Sequence, residues 1–585
     1  MATIDSTTAS SVLDISAKPA FRARPAISGR LAVAGLIVVL SVLIVLPIAV
    51  LLAGSFLSEP PRALQFDWSG LTLRNYLAVL SDDSFFVLLR NSFVVATVGT
   101  LGALSIGAGL AWIGIRTDVP GRRLLASVSI LPMFVPPLVG AFAWDILASP
   151  RSGLINLLLR ELSLPIHLNI YSIWGVGFVF AIYYAPYVYL FVAAALRNMD
   201  PSFEEAAAMS GANRWTVFWR VTLPLSLPAL LSAALLVFVL LIELFAIPAV
   251  LGEPGNLKVF SVRIWELIGF TPPQVNQASA MGVLMLLLTV TLVSIQHRVL
   301  SKRNYVTVAG KGVRPRVISM GVFRWPVAVV TFSYIVMAVL LPYAALILIA
   351  LRKTIFFSRL SAVFNPSQFT LSHFSAAYND PVVLTSFQNS LIVSFLTVAI
   401  GIALYFAAAY VIHRTRLPGR RAIDLITIIP LAIPGLIIGL GYLWSWISLP
   451  VGIYGTLWII IFAYVGQFSP QGVRAIATSL IQIHPELEES ARLSGAGFFY
   501  MLRRVVVPLA WPGILSGAIL LMVLSFRELA TALFLYTTNT QVFSLTMFDF
   551  WARGSTSMVA VMALCQSFVL LVLVVLGNLI RRGHE

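Results

Sequence analysis

Two polar segments with the same order of acidic, small and proline residues are the chemically distinctive parts of this sequence. They read EEAAAMSGANRWTVFWRVTLPLSLP from Glu204 and EESARLSGAGFFYMLRRVVVPLAWP from Glu488. Glu205 and Glu489 are 284 positions apart, and the later glycines and prolines keep that separation without a gap. Each copy lies between long apolar segments. A polar loop that is repeated in such a setting predicts a surface that binds a partner.

Each loop is predicted to form a short helix, a turn and a second helix. A proline precedes each acidic stretch, where its missing N–H costs nothing at the start of a helix, and Ser202 and Glu205 have capping-box spacing. Gly211 and Gly495 are predicted to end the first helix with positive φ. Because a helix of about ten residues is unstable alone in water, the loop must pack on its own spans or on a partner. Two copies in one register favour the partner.

The composition predicts a polytopic membrane protein. Of the 585 residues, 59% are hydrophobic and 11% are charged, with a mean hydropathy of +0.93, far from the roughly 25% charged residues of soluble domains. The segment Leu31–Gly54 has 24 residues without a charge. At about 1.5 Å per residue it is long enough for a hydrocarbon core of about 30 Å.

Similar apolar segments predict about twelve transmembrane helices in an all-α fold. They start near residues 31, 91, 124, 170, 226 and 277 in one half, and near residues 327, 389, 423, 453, 512 and 557 in the other. The predicted division is an N-terminal tail (1–30), a first domain (31–297), a basic linker (298–324), a second domain (325–580) and a C-terminal tail (581–585). Prolines interrupt the segments near 124 and 423, where they either bend the helices or serve packing.

The two domains are predicted to be parallel repeats. Asn91 corresponds to Asn389, and RTDVPGRR from Arg116 corresponds to RTRLPGRR from Arg414, both at a separation of 298. The separation falls to 284 further on, so the first half carries 14 more residues between its third and fourth spans. Six spans in each half keep both copies in one orientation. The transport pathway is therefore expected at the seam between the halves.

Basic residues predict the orientation and the environment. Lys and Arg collect before the first span, after the second span and in the linker, so both termini and both polar loops are predicted to be cytoplasmic. The net charge of +16 lies in short loops and is interpreted as contact with the lipid bilayer rather than with nucleic acid. The single cysteine, Cys565, excludes a disulfide within the chain.

One acidic residue interrupts the fifth span of each half near its middle or outer end, Glu243 in LLIELFAIP and Glu528 in SFRELAT. An isolated charge at the centre of a bilayer costs about 2.5 to 3.5 kcal/mol, so both should face the bundle interior. One hypothesis is that they line the pathway and favour a cationic substrate. The other is that they hold neighbouring helices together.

The repeated loops resemble the E-A-A-x3-G loop of permease subunits in bacterial binding-protein-dependent ABC importers. The first copy matches at Glu205, Ala206, Ala207, Gly211 and Pro224. The second matches at Glu489, Ala491, Gly495 and Pro508, with Ser490 in place of the first alanine. The resemblance extends over nearly the whole chain after the first thirty residues, because each half is similar to one permease domain.

This resemblance implies that the loops are coupling helices that bind a dimer of a cytoplasmic ATPase. It also implies a periplasmic substrate-binding protein and a location in the bacterial inner membrane. The chain itself has no phosphate-binding loop, since Gly310-Lys311 is followed by Gly312. We therefore expect no enzymatic activity, no cofactor and no metal site in this chain.

The length of the fused chain and the SFRELAT segment resemble ferric iron permeases, which ranks ferric iron first as the substrate. Thiamine, polyamines and aminoethylphosphonate stay open, because related permeases carry each of them. A different class, the proton-coupled major-facilitator carrier, also has twelve spans, and GIRTDVPGRR from Gly114 is similar to its loop between spans two and three. Replacing Glu205 and Glu489 would separate the classes, since only a permease that is driven by an ATPase needs them.

Overall fold

The computed structural model describes residues 27–60, 70–301, 317–355, 357, 359–449 and 451–582. Most of the predicted tails (1–30 and 581–585) and of the basic linker (298–324) lies outside these residues. Within them the regular structure is helical, and β-type pairing is limited to three isolated bridges. The prediction of an all-α polytopic membrane protein is confirmed.

Nine helices of the described residues are long and apolar enough to cross a membrane, and two bent helix pairs raise the number to eleven. In the first half the spans are Gly29–Gly54, Ser84–Arg116, Leu124–Phe134 with Pro137–Ala148, Ile173–Asn198, Trp215–Glu243 and Val275–Gln296. In the second half they are Gly321–Ala350, Pro381–Arg414, Arg420–Ala432 with Gly435–Ser448, Phe498–Arg527 and Thr556–Gly577. The shorter helices include Arg74–Leu80, Leu154–Glu161, Ser202–Met209, Phe260–Gly269, Ser372–Asn379, Pro485–Leu493 and Phe543–Ala552.

The third span of each half is sharply bent at its prolines. The two parts meet at 94° in the first half and at 113° in the second. Val135 and Ile433 are extended at the bends, with ψ of 122° and 119°. Each precedes a proline, and the proline ring disfavours the helical conformation in the residue before it. The prolines therefore bend these spans.

The fourth span of the first half tolerates a proline because the other half supplies a hydrogen bond. Pro186 lies inside this helix and has no N–H to donate to the carbonyl of Ile182. The hydroxyl of Tyr334, which belongs to the second half, donates to that carbonyl at 2.9 Å. The backbone acceptor is thereby satisfied inside the membrane.

The fourth span of the second half is not one helix, which differs from the single span predicted to start near 453. It consists of Leu457–Gln467 and Ser469–Gln482, with a break at Phe468. The hydroxyl of Tyr405 donates to the carbonyl of Val465, which a continuous helix would pair with the N–H of residue 469. The first half has Gly107 at the position of Tyr405, and its span stays continuous.

The first span of each half packs against the opposite half. The hydroxyl of Tyr442 donates to the carbonyl of Leu43 in the first span. A Cβ atom on Gly54 would lie 2.9 Å from the ring of Trp444, so this contact requires glycine. The contact between Tyr334 and the first half is the counterpart for the other first span. Each first span therefore joins the two halves.

Aromatic rings pack across the seam beyond the fifth spans. Phe245 and Trp265 of the first half contact Phe548 of the second, with ring centroids 5.7 and 5.6 Å apart. Phe142 of the bent third span contacts Trp551 at 6.1 Å. These contacts join the segments that follow the two fifth spans.

Candidate partner-binding loops and seam

Each polar loop begins with a short helix, Ser202–Met209 in the first half and Pro485–Leu493 in the second. We name these the first and second loop helices. Gly211 and Gly495 follow them, both with φ of +83°, which confirms the predicted positive φ. The N–H after each glycine donates to the carbonyl five positions earlier, at 3.1 Å and 3.0 Å, as in a Schellman motif. A Cβ atom at either glycine would meet no atom within 4 Å, so backbone conformation explains the glycines.

The capping box predicted for Ser202 and Glu205 is not formed. Pro201 is the N-cap of the first loop helix, and no side chain accepts a hydrogen bond there. The N–H of Ser202 instead donates to Oδ1 of Asp200 at 2.9 Å. Asp200 thus forms a local turn of the kind that competes with capping, and Glu205 remains exposed.

Glu204 anchors the first loop helix, a role that the sequence analysis missed. Its Oε2 lies 3.2 Å from Nη1 of Arg116, the last residue of the second span, and the two side chains are 4% and 0% exposed. Thr222 donates its hydroxyl to Oε1 of Glu204 at 2.7 Å. The loop helix is therefore tied to the second span and to the start of the fifth.

Glu488 has the same role in the second half. Nε of Arg414 donates to its Oε1 at 2.7 Å, and the hydroxyl of Tyr410 donates to its Oε2 at 3.0 Å. The signal was present in the sequence, because Glu204 and Glu488 correspond to each other, as do Arg116 and Arg414. Repeated charges of opposite sign predict a repeated ion pair.

The residues predicted from the E-A-A-x3-G pattern lie mainly on the exposed side of the loops. Exposed are Glu205, Ala206, Gly211, Pro224, Glu489, Gly495 and Pro508, while Ala207 and Ala491 are half-buried. Large apolar side chains accompany them at equivalent positions. Met209 and Leu493 are 90% and 89% exposed, and Trp215 and Phe499 are exposed as well. Apolar groups of this size beside exposed acids are typical of interaction surfaces.

A widened helical turn connects each loop to the fifth span. The turns are the π-helical segments Phe218–Thr222 and Leu502–Val506. Each ends just before the first turn of a helix that contains Pro224 or Pro508. Because a proline cannot donate to the carbonyl four positions earlier, the regular ladder cannot continue unchanged through this point.

The end of the linker binds beside the anchor of the first loop helix. The N–H of Ile318 donates to the carbonyl of Arg116 at 2.7 Å, and the N–H of Met320 donates to Oδ1 of Asp118 at 2.7 Å. The hydrogen bond from Met320 is the main cause that lowers the pKa of Asp118. The second half has Arg416 at the position of Asp118, so the carboxylate that accepts this hydrogen bond is not repeated.

Glu243 and Glu528 both lie at the ends of the fifth spans, but their surroundings differ. Oε1 of Glu528 accepts hydrogen bonds from the N–H and the hydroxyl of Thr531, at 3.1 and 3.2 Å. Oε1 of Glu243 is buried and has no hydrogen-bond partner in the described part of the chain. The structure therefore assigns a local structural contact to Glu528 and leaves Glu243 unexplained.

Among the residues that the structure describes, no three His, Cys, Asp or Glu side chains come together as metal ligands. Glu243 and Glu528 are thus single oxygen donors rather than parts of a closed metal site.

Comparisons with known proteins agree with the duplicated architecture. Residues 86–304 and 399–584, one segment in each half, match the family described as "Binding-protein-dependent transport system inner membrane component". The chain is 25% identical over 484 residues to a putative ferric transport system permease protein of Haemophilus influenzae, covering 82% of this chain and 74% of that protein. It is 26% identical over 462 residues to the ferric transport system permease protein of Actinobacillus pleuropneumoniae, covering 78% and 65%.

A third relative matches less of the chain. It is a putative 2-aminoethylphosphonate transport system permease protein of Salmonella typhimurium, 28% identical over 190 residues, which covers 32% of this chain and 71% of that protein. The duplicated family match, the apolar spans and the two equivalent loops agree with one another. This chain belongs to the family of binding-protein-dependent transport system inner membrane components.

Proposed function

We propose that this chain is the permease of an ATP-driven importer that carries ferric iron into the cytoplasm, and that its loop helices are the contact for a separate ATPase. One observation carries the proposal. In both loops the anchoring acid is buried against the second span, while acidic and large apolar residues remain exposed on the other side. Two equivalent surfaces on one chain fit a partner that is a dimer of identical subunits.

The anchors explain how an ATPase could move the spans. Arg116 and Arg414 end the second spans, and each loop continues through its π-helical turn into the fifth span. Separating a buried ion pair costs about 3 to 5 kcal/mol, so a displaced loop helix takes the second span with it. Movement of both loops together would open and close the seam, which is alternating access by two parallel halves.

The substrate assignment depends on the relatives and on the seam. Two relatives that match most of this chain are described as ferric transport permeases. The side chain of Glu243 at the seam is an acid that can contact a passing cation without binding it tightly. The phosphonate transport relative matches a smaller part of the chain. We therefore keep ferric iron first, with aminoethylphosphonate, thiamine and polyamines as the substrates to compare.

The proposed orientation places the loop helices in the cytoplasm of a bacterial cell, under the inner membrane. Arg116 and Arg414 lie on the same face of the bundle as the loop helices that they bind, and basic residues favour the cytoplasmic side. A periplasmic substrate-binding protein would then deliver the substrate to the opposite face. ATP hydrolysis would be the activity of the separate subunit.

Uptake of radiolabelled ferric iron tests this proposal. The gene is deleted and complemented by wild type, by Glu205→Lys with Glu489→Lys, or by Glu253→Lys as a control. Glu253 is exposed and lies after the end of a fifth span, away from the loops. We expect uptake with wild type and the control, and loss with the double variant, because reversed charges repel at the ATPase contact.

Membrane levels of each variant are measured in the same cells. Iron uptake that survives the double variant at normal protein level would refute coupling through the loops. Iron uptake that does not depend on the gene would refute the ferric assignment. In that case the same strains are tested with thiamine, polyamines and aminoethylphosphonate.

A further inference from the structure

The two fifth spans end at equivalent positions with opposite charges. The helices Leu223–Glu243 and Val507–Arg527 both have 21 residues, and their last residues are 284 positions apart, as in the loops. Glu243 of the first half thus corresponds to Arg527 of the second. At about 1.5 Å per residue, both charges lie roughly 30 Å along the helix from the loops.

Arg527 reaches across the seam. Its Nη1 donates to the carbonyl of Met133 at 3.0 Å. Met133 belongs to the short segment Leu131–Phe134, directly before the bend of the third span in the first half. The fifth span of the second half is therefore fastened to the bent span of the first.

Glu243 cannot make the equivalent contact. The residue that corresponds to Met133 in the second half is Leu431, and a carboxylate has no hydrogen to donate to its carbonyl. Oε1 of Glu243 is buried without a partner among the described residues, and the residue as a whole is half-buried. One side of the seam thus has the hydrogen bond from Arg527 to Met133. On the other side, Oε1 of Glu243 has no partner among the described residues.

Tyr184 of the fourth span lies near Glu243, Arg527 and Glu528. Its ring stacks on that of Tyr187, with centroids 5.5 Å apart and planes at 20°. Carboxylate and hydroxyl oxygens are ligands of hard cations, whereas soft cations prefer sulfur. The chemistry of this side of the seam therefore suits a hard cation.

We propose that Glu243 contacts the transported cation at the seam, on the side opposite the hydrogen bond from Arg527 to Met133. The inference rests on the proposed function, since it names the residue that would give the pathway its preference for a cation. A buried carboxylate without a partner is unfavourable, and a passing cation relieves that cost. No closed ligand set surrounds Glu243, so the cation is released again.

The test uses proteoliposomes that contain the complete transporter with its ATPase and its binding protein. Radiolabelled ferric iron, thiamine, spermidine and 2-aminoethylphosphonate are offered to wild type and to Glu243→Gln, Glu243→Asp, Glu243→Arg and Glu253→Gln. We expect Glu243→Gln to slow cation transport about tenfold or more, because a contact to a charged group contributes at least that factor. Glu243→Asp, which keeps the charge, should restore much of the rate, and Glu253→Gln should match wild type.

Glu243→Arg introduces the residue found at the equivalent position of the second half, Arg527. It should stop cation transport, because the new guanidinium repels the cation and can donate a hydrogen bond to the carbonyl of Leu431. The amount of intact complex is measured for each variant by size-exclusion chromatography. Transport of iron at wild-type rate by intact Glu243→Gln would overturn the inference and leave the proposed function standing. Transport of another cation with the same dependence on Glu243 would support the inference and overturn the ferric assignment. Transport of the phosphonate alone would overturn both.

Discussion

Glu204→Gln is the substitution that tests most directly how the loop helices are held. The change keeps the size of the side chain and an oxygen that can accept the hydrogen bond from Thr222. It removes the negative charge beside Arg116, whose side chain is fully buried. The variant therefore leaves a buried guanidinium without a counter-charge.

The size of the effect follows from this burial. Removing one partner of a buried ion pair costs about 3 to 5 kcal/mol, because the remaining charge is not solvated. Glu205→Gln is the matched control, since the neighbouring Glu205 is exposed and forms no anchor. A surface substitution of this kind changes stability by less than about 0.5 kcal/mol. The two adjacent variants should therefore differ by about 3 kcal/mol.

Hydrogen exchange of the purified permease measures the difference locally. Amides of the first loop helix exchange when this helix opens. Lowering the opening free energy by about 3 kcal/mol should speed their exchange by roughly 100-fold in Glu204→Gln. Exchange in the second loop helix, which is held by Glu488, should not change. Replacing both members of the pair, Arg116→Met with Glu204→Met, should recover much of the protection.

The reasoning fails if Glu204→Gln and Glu205→Gln exchange at the same rate in Ser202–Met209. It also fails if the double methionine variant is less protected than Glu204→Gln. Either result would mean that the buried pair does not hold the loop helix. The proposed movement of the second span with the loop helix would then need a different contact.

Two further predictions concern the contact between Asp118 and Met320 and the packing of the first span against the opposite half. The lowered pKa of Asp118 means that its contact with Met320 stabilises the fold above the ordinary carboxyl range near pH 3.9. This contribution is lost as the pH falls through the lowered pKa. Asp118→Ala should therefore speed hydrogen exchange of the Met320 amide at neutral pH. An unchanged exchange rate would contradict the contact. Gly54→Leu should destabilise the permease by about 1 to 3 kcal/mol through overpacking against Trp444. Gly35→Leu in the same span is the control and should be tolerated, because a Cβ atom there meets nothing within 4 Å. The melting temperatures of the two variants in detergent are compared. Equal melting temperatures would contradict the packing of the first span against Trp444 of the second half.

The loops show how much local sequence can predict. Gly211 and Gly495 were predicted to have positive φ, and both do, because the end of a helix is a local property of the backbone. The capping box was not formed, since Asp200 competes for the same N–H group. Competition between neighbouring side chains is decided by small energy differences that spacing alone does not reveal.

The spans show the same division at a larger scale. Hydropathy predicted where most of them lie, whereas the prolines left bending and packing open as alternatives, and the structure shows that both spans bend. The break at Phe468, two residues before Pro470, was not predicted, and the carbonyl of Val465 at the break accepts a hydrogen bond from Tyr405 of another helix. A residue distant in sequence takes the hydrogen bond that would have continued the helix.

The sequence by itself determined the membrane class, the duplication and the position of the polar loops, because hydropathy and a repeated register are properties of the chain before it folds. Only the tertiary structure decided which acid of each Glu-Glu pair is buried and that each first span packs against the opposite half. It also decided that Glu243 and Arg527, at equivalent ends of the fifth spans, have different contacts. These features depend on which side chains meet across helices far apart in sequence. Burial then determines the free energy of each such contact, since a charge inside the bundle needs a partner that a charge in water does not.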